Sequence, residues 1–323
     1  MTHVAKIRSD VGQYLRDNGL WLSVLLSIGV FFALVVFGDA HQVISALVGF
    51  EWSLFVLIIG LATLGYVVRF IKWELYLRTL RIDVPLRTSA IVFFSGLLFV
   101  ATPGKVGELW KAWFMKETEE VPVSRTTSVV GAERITDFVA LAMLAALGPI
   151  VYGRSVTLVA ALFASLGVGL ILIQWQSLFY KVLAAIETIP IITRYVAALE
   201  ELYESTYALS RPGPFFGALG LSLVAWTFEA MALLVALRGY GIDGSALQSV
   251  FVYGFGLVVG AISMLPGGLG ATEATMVGLL LSIGYERSIA VSVVLVVRVG
   301  TLWYAVLLGL VVYLSFGVIR DGR

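Results

Sequence analysis

The chain has 323 residues, 59% of them hydrophobic and 13% charged, against about 25% charged in an ordinary soluble protein. A mean hydropathy of +0.96 makes it a polytopic membrane protein of all-α class, and a formal net charge of +1 gives no reason to expect a nucleic-acid partner. There are no cysteines, which excludes disulfides and cysteine-based metal or redox chemistry, and the two histidines, His3 and His41, lie outside the apolar runs, so neither a metal nor a cofactor is expected.

Met1 to Asn18 is a polar, basic start. A spanning helix needs about 20 apolar residues, with about 17 sufficient. Leu20–Phe37 fits as a first span, retained because no small-residue cleavage site follows it. Trp52–Ile71 fits as a second, with Arg69 read as a snorkelling residue at its end and Lys72, Arg78, Arg81 and Arg87 as a basic loop beyond it. Thr88–Thr102 is too short to cross and runs into Pro103-Gly104-Lys105-Val106-Gly107-Glu108; a second short piece then leads back to charge at Lys116 and Glu117. Proline cannot continue a helix and glycine readily leaves one, so this pattern predicts a re-entrant hairpin. Thr126–Tyr152 is a third span, carrying Glu133, Arg134 and Asp137, and Val156–Trp175 a fourth. Residues 176–212 mix apolar and charged positions as an interfacial amphipathic segment does. Phe215–Leu237 is a fifth span, with Glu229 well inside it. Ala246–Leu265 then runs into a second break, Pro266-Gly267-Gly268-Leu269-Gly270-Ala271-Thr272-Glu273, and Thr272–Ile283 leads out. Ser288–Val318, with Arg298, is the last span.

The expectation is six full spans and two re-entrant helical hairpins in a single membrane domain covering 1–323. With the N-terminus inside, the outer loops hold only Arg154, Arg238 and Arg287 among the basic residues, which places both termini in the cytoplasm and the protein in the cell membrane. The hairpins then face opposite ways. Glu108 is followed by Arg134 after 26 residues and Glu273 by Arg298 after 25. Repeat one, about 52–152, and repeat two, about 215–318, thus read as an inverted-topology pair, whose binding site is expected between the two breaks.

A charge at membrane depth costs at least about 2.5–3.5 kcal/mol, which makes Lys105, Glu108, Glu133, Arg134, Asp137, Glu229, Glu273 and Arg298 the candidate site. Arginine suits phosphate because its planar fork donates two parallel hydrogen bonds. Each has a plainer reading. Glu108 and Glu273 sit in the first turn of a half-helix and could cap it; Arg134 and Asp137 are three apart and could pair locally; Glu133 and Asp137 could lie near the inner surface. Glu229 is either a proton-coupling residue or the partner of an arginine. Trp52, Trp73, Trp110, Trp113 and Trp175 read as interfacial anchors.

Thr102 to Glu108, Glu133-Arg134-Ile135-Thr136-Asp137, and Leu265 to Gly270 with Glu273 resemble, in that order, the lysylphosphatidylglycerol synthase/flippase transmembrane family, which includes the membrane part of the multiple peptide resistance factor. The resemblance implies movement of a lipid between leaflets: aminoacylated phosphatidylglycerol in the resistance factors, polyisoprenyl-phosphate sugars or other glycolipids in stand-alone relatives. Those factors also carry a soluble aminoacyltransferase domain after the membrane part, whereas this chain ends at Arg323, so synthase activity is not implied and an enzyme is not expected. The expected partners are a lipid substrate and the bilayer, with room for a homodimer. The rival readings are a secondary transporter of a small anion, a membrane enzyme on a lipid phosphate, and a membrane-anchoring subunit of a lipid-modifying synthase.

Overall fold

The computed structural model describes residues 20–102, 107–148, 167–169, 171–186 and 195–321, together with 157 and 164; these form helices joined by short turns. Helix α1, Leu20–Phe37, matches the first predicted span. It is followed by a helix the sequence reading did not assign, α2, Ala40–Gly49, which turns away by 100°. Asp39 makes that corner: its side chain accepts from the backbone N–H groups of His41 and Gln42 and so caps α2.

α3, Ser53–Thr79, continues well past the predicted end at Ile71, which draws Lys72 into the helix. At 1.5 Å per residue its 27 residues reach about 40 Å, more than the roughly 30 Å hydrocarbon core. α4, Leu86–Gly96, runs on as a 3-10 turn, Leu97–Phe99. Residues 103–106 lie outside the described residues, and with them Pro103, Gly104 and Lys105 of the expected site. The chain resumes at Gly107 in a 3-10 turn that enters α5, Trp110–Glu119. α6, Val123–Ala145, takes the place of the third predicted span. Half of the fourth, 156–175, falls outside the described residues.

The segment read as amphipathic contains α7, Gln176–Ile186, and α8, Val196–Leu209. α8 lies along α6, where Ser128 Oγ donates to the Leu202 carbonyl at 2.9 Å. Pro212 then opens α9, Pro212–Arg238, where a proline in the first turn removes an N–H that has no helical partner anyway. α10, Ala246–Ile262, ends at the second break, a 3-10 turn over Pro266–Gly268 with Gly267, Gly268 and Gly270 all at positive φ. A side chain would be strained there, which is why glycines cluster at this point. α11, Ala271–Ile283, α12, Arg287–Arg298, a π turn, Val299–Trp303, and α13, Tyr304–Asp321, complete the chain.

Among the described residues, three helices are long and apolar enough to cross a membrane: α3, α9 and the continuous α12–α13 span from Arg287 to Ser315; each of two bent pairs could supply one more, giving up to five. α6 is absent from that set. It carries Glu133, Arg134 and Asp137 in its middle, so the charges that make it interesting also remove it from a hydropathy test.

The centre of the molecule is the α3–α9 pair. Glu51 N–H donates to the Gly239 carbonyl at 3.0 Å, Lys72 reaches Ser222 at 2.9 Å, and a methyl at Gly217 would touch Leu75. Numbers rise along α3 as they fall along α9, so the helices are antiparallel. In hydrocarbon there is no hydrophobic drive to associate, and small residues that let backbones approach take its place. Gly65 does this here: a methyl on it would sit 3.1 Å from the Ala225 carbonyl oxygen. Around this pair, α10 packs on α6 and α11, and α13 packs on α4 and its 3-10 extension.

Candidate functional site

Five cationic and five carboxylate side chains are buried together, or nearly so, where α3, α5, α6, α9, α11 and α12 converge. Their pairing is specific. Arg69 on α3 pairs with Glu229 on α9, and Tyr253 on α10 donates to the other Glu229 oxygen at 2.7 Å. The Arg69 guanidinium also lies 3.8 Å from the centre of the Trp226 ring, a cation–π contact. Lys72 donates to Asp137 Oδ1 at 2.6 Å, and Ser222 donates to the same oxygen at 2.9 Å. Lys111 on α5 pairs with Glu133 at 2.8 Å, with Glu108 3.9 Å away. Arg298 on α12 pairs with Glu273 on α11 and donates to the Gly267 carbonyl at 2.8 Å.

Arg134 differs from the other four cations. Its guanidinium bridges two carboxylates, Glu108 at 3.3 Å and Asp137 at 3.1 Å, yet its side chain keeps 30% of its surface open, against 3% for Arg298 and 0% for Lys72. Arg134 lines two adjoining spaces. One is a small chamber of about 80 Å³ with Arg69, Glu108, Lys111, Glu229 and Arg298 on its walls. The other is a mostly apolar pocket of about 390 Å³ between α6, α10 and the second break, walled by Phe138, Leu141, Ala261 and Met264. Arg134, Trp226, Leu257 and Gly267 belong to both, so charged chamber and apolar pocket adjoin at these residues. Among the described residues, the buried Trp226 Nε1, Arg134 Nε and Thr272 Oγ1 have no hydrogen-bond partner, and all three residues line the pocket. Each is a group able to donate, and an unsatisfied buried donor costs about 1–3 kcal/mol until a ligand or water supplies an acceptor.

Of the expected site residues, Glu108, Glu133, Arg134, Asp137, Glu229, Glu273 and Arg298 come together in this cluster. The alternatives left open by sequence resolve in detail. Glu273 both caps and pairs: one oxygen accepts from Gly270 N–H at 2.6 Å, the other meets Arg298. Arg134 and Asp137 do pair along the helix. Glu229 is an arginine's partner. Two expectations are corrected. Arg69 does not snorkel at a boundary but is buried against Glu229, because α9 supplies an acceptor inside the protein. Glu133 and Asp137 are both buried within the protein. Trp73 and Trp110 are buried rather than interfacial, whereas Trp52 and Trp175 are exposed as expected. Lys72 and Lys111 were missed as site residues. A signal existed: Arg69 and Lys72 share a helix face with Tyr66, Trp73 and Tyr76, an aromatic face that a basic loop would not have. Among the described residues, no group of histidines and carboxylates has the arrangement of a metal site.

A family model described as "Lysylphosphatidylglycerol synthase TM region" matches residues 20–309. A UPF0104 membrane protein of Methanothermobacter thermautotrophicus is 26% identical over 88% of this chain and 90% of its own length. A second from that organism is 22% identical over 97% of this chain and 98% of its own length, and one from Pyrococcus horikoshii is 22% identical over 90% and 95%.

Proposed function

This chain belongs to the family of the lysylphosphatidylglycerol synthase transmembrane region, and from that premise we propose that it moves a phosphate-bearing lipid between the two leaflets of a cell membrane. The observation that carries the reading is the junction at Arg134. A partly open arginine and the unpartnered Trp226 Nε1 stand where a charged chamber meets an apolar pocket, and a second unpartnered donor, Thr272 Oγ1, belongs to a residue of the pocket wall. A lipid has the same two-part chemistry. Its phosphate would take Arg134, whose fork suits two phosphate oxygens. Glu108 and Asp137, released from that arginine, would face whatever positive or hydroxyl groups the headgroup carries. The acyl or prenyl chain would leave through the apolar pocket. Phosphatidylglycerol, its aminoacyl form and polyprenyl-phosphate sugars all fit this description. On this reading the protein carries out no covalent chemistry.

The test is reconstitution into liposomes with trappable analogues of those three lipids. Charge-assisted hydrogen bonds contribute about 1.5–3 kcal/mol each, so Arg134→Ala should slow transbilayer movement about tenfold to a hundredfold in protein that still folds. Arg134 is the informative variant because it is the cation with open surface. Unimpaired movement in Arg134→Ala would sink its assignment. Movement of none of the lipids, together with uptake of a water-soluble phosphate, would replace the lipid reading with the small-anion one.

A further inference from the structure

The two halves of the chain repeat each other at a constant offset. Arg81 and Gly241 occupy the same place, 160 positions apart, each at positive φ just after its long helix. The next residues, Ile82 and Ile242, each donate a backbone hydrogen bond to a leucine carbonyl five positions back, Leu77 and Leu237. Ser89 and Ser249 each bond back to the residue before the next helix, Pro85 and Ser245. Beyond the breaks the offset becomes 164 or 165. A methyl on Gly96 would lie 2.8 Å from Lys111, and one on its equivalent, Gly256, would lie 2.6 Å from Met276, the equivalent of that lysine. The pair Glu108–Arg134 then matches Glu273–Arg298.

The contacts between the halves have a symmetry of their own. Arg69 and Glu229 are 160 apart, so this ion pair joins a position to its own counterpart. Gly65 likewise meets Ala225. Antiparallel helices that touch through equivalent positions are related by a two-fold axis perpendicular to them, as in inverted-topology repeats.

The axis relates two lining sets that differ in size. The pocket of about 390 Å³ is walled by Trp226, Leu257, Arg134, Phe138 and Leu141. Their counterparts are Tyr66, Leu97, Arg298, Leu302 and Ala305, and what opens beside them is the chamber of about 80 Å³, which they line together with Arg134, Trp226 and Leu257 of the first set. There Tyr66, Leu97 and Ala305 are packed into one buried cluster, and Tyr66 OH donates to the Thr301 carbonyl at 2.8 Å, whereas its counterpart Trp226 has an unpartnered N–H. Resting on the lipid-moving reading above, we propose that the lipid has two equivalent seats related by this axis through Arg69 and Glu229: one open at Arg134, the other closed at Arg298. Closing the first seat opens the second, and the phosphate passes from one arginine to the other. Arg69 and Glu229 lie on the axis and do not change partners in the exchange.

The chain has no cysteine, so single cysteines report alone. The experiment measures the reaction of a membrane-permeant maleimide with Leu257→Cys and Phe138→Cys, both half-buried in the open seat, and with Leu97→Cys and Ala305→Cys, both buried in the closed one, in phosphatidylglycerol-containing vesicles. Labelling tracks the population in which a site is open. The open-seat cysteines should react about tenfold or more faster than their counterparts. Filling the open seat with Ala261→Trp, or independently with Met264→Trp, should reverse that order. If Leu97→Cys and Ala305→Cys stay equally unreactive with the open seat filled, in protein of normal melting temperature, the two-seat proposal is overturned. Lipid movement scored in the same vesicles judges the functional reading separately: movement without reversal leaves the flippase standing and removes the second seat.

Discussion

Glu273 uses its two oxygens for different tasks, one holding the first turn of α11 and the other holding Arg298. Ties of this kind govern what substitutions do here. Breaking a buried ion pair from one side leaves a charge unpaired and costs about 3–5 kcal/mol. Arg298→Ala and Glu229→Gln should therefore lower the melting temperature and the folded yield before any transport defect is read, and Arg134→Ala should lower them less, because Asp137 keeps Lys72 and Glu108 keeps Lys111 3.9 Å away. The Arg69–Glu229 pair allows a sharper test. On the proposed two-fold axis its positions are equivalent, and Tyr66 and Trp226 both lie against Arg69, with ring centres 5.6 and 3.8 Å from the guanidinium. Arg69→Glu or Glu229→Arg alone should be severely destabilised, and the double exchange should recover more than half of the lost stability by thermal denaturation; no recovery would mean that the pair's surroundings are not interchangeable. At this scale the sequence revealed carboxylates better than cations. Glu229 and Glu273 stood out because no other charge lies near them in the sequence, and Glu108 because it closes the Pro-Gly break, whereas Arg69, Lys72 and Lys111 were hidden by neighbouring basic residues that made a loop or membrane boundary the simpler reading.

Among the elements, close approach depends on a few glycines that have no side chain to displace. Gly65 lets α3 and α9 meet, and Gly260 lets α10 meet the start of α11, where a methyl would fall 2.0 Å from Thr272 Oγ1. Gly65→Leu should separate α3 from α9 and abolish folded protein, as judged by size-exclusion profile in detergent. Gly60 points to open space and Gly60→Leu should be harmless. Helix boundaries followed the sequence closely where proline, glycine and charge coincided: α1 and α11 lie within a residue of their predicted ends. They failed in two places. α3 ran eight residues too long because a lysine paired inside the protein is no reason for a helix to end. α2 was missed because only ten residues separate its cap, Asp39, from Phe50, and its mixed polarity resembles a loop.

On the scale of the whole molecule, the charges are in balance: five cations meet five carboxylates among the described residues of the core. Single-residue reading found the Glu–Arg spacing of each half, but that Arg69 meets Glu229 and Gly65 meets Ala225, each pair 160 residues apart, became visible only in three dimensions. Moving one elementary charge through the membrane potential is worth about 2.3 kcal/mol per 100 mV. A core whose fixed charges cancel offers that field no handle when empty. The exchange between seats in unloaded protein should therefore run at the same rate, read by cysteine labelling, with or without an imposed potassium diffusion potential. A lipid of net charge −1 would carry the whole electrical work itself. The voltage dependence of transport would then report the charge of the passenger, and comparing two headgroups across one potential would count that charge directly.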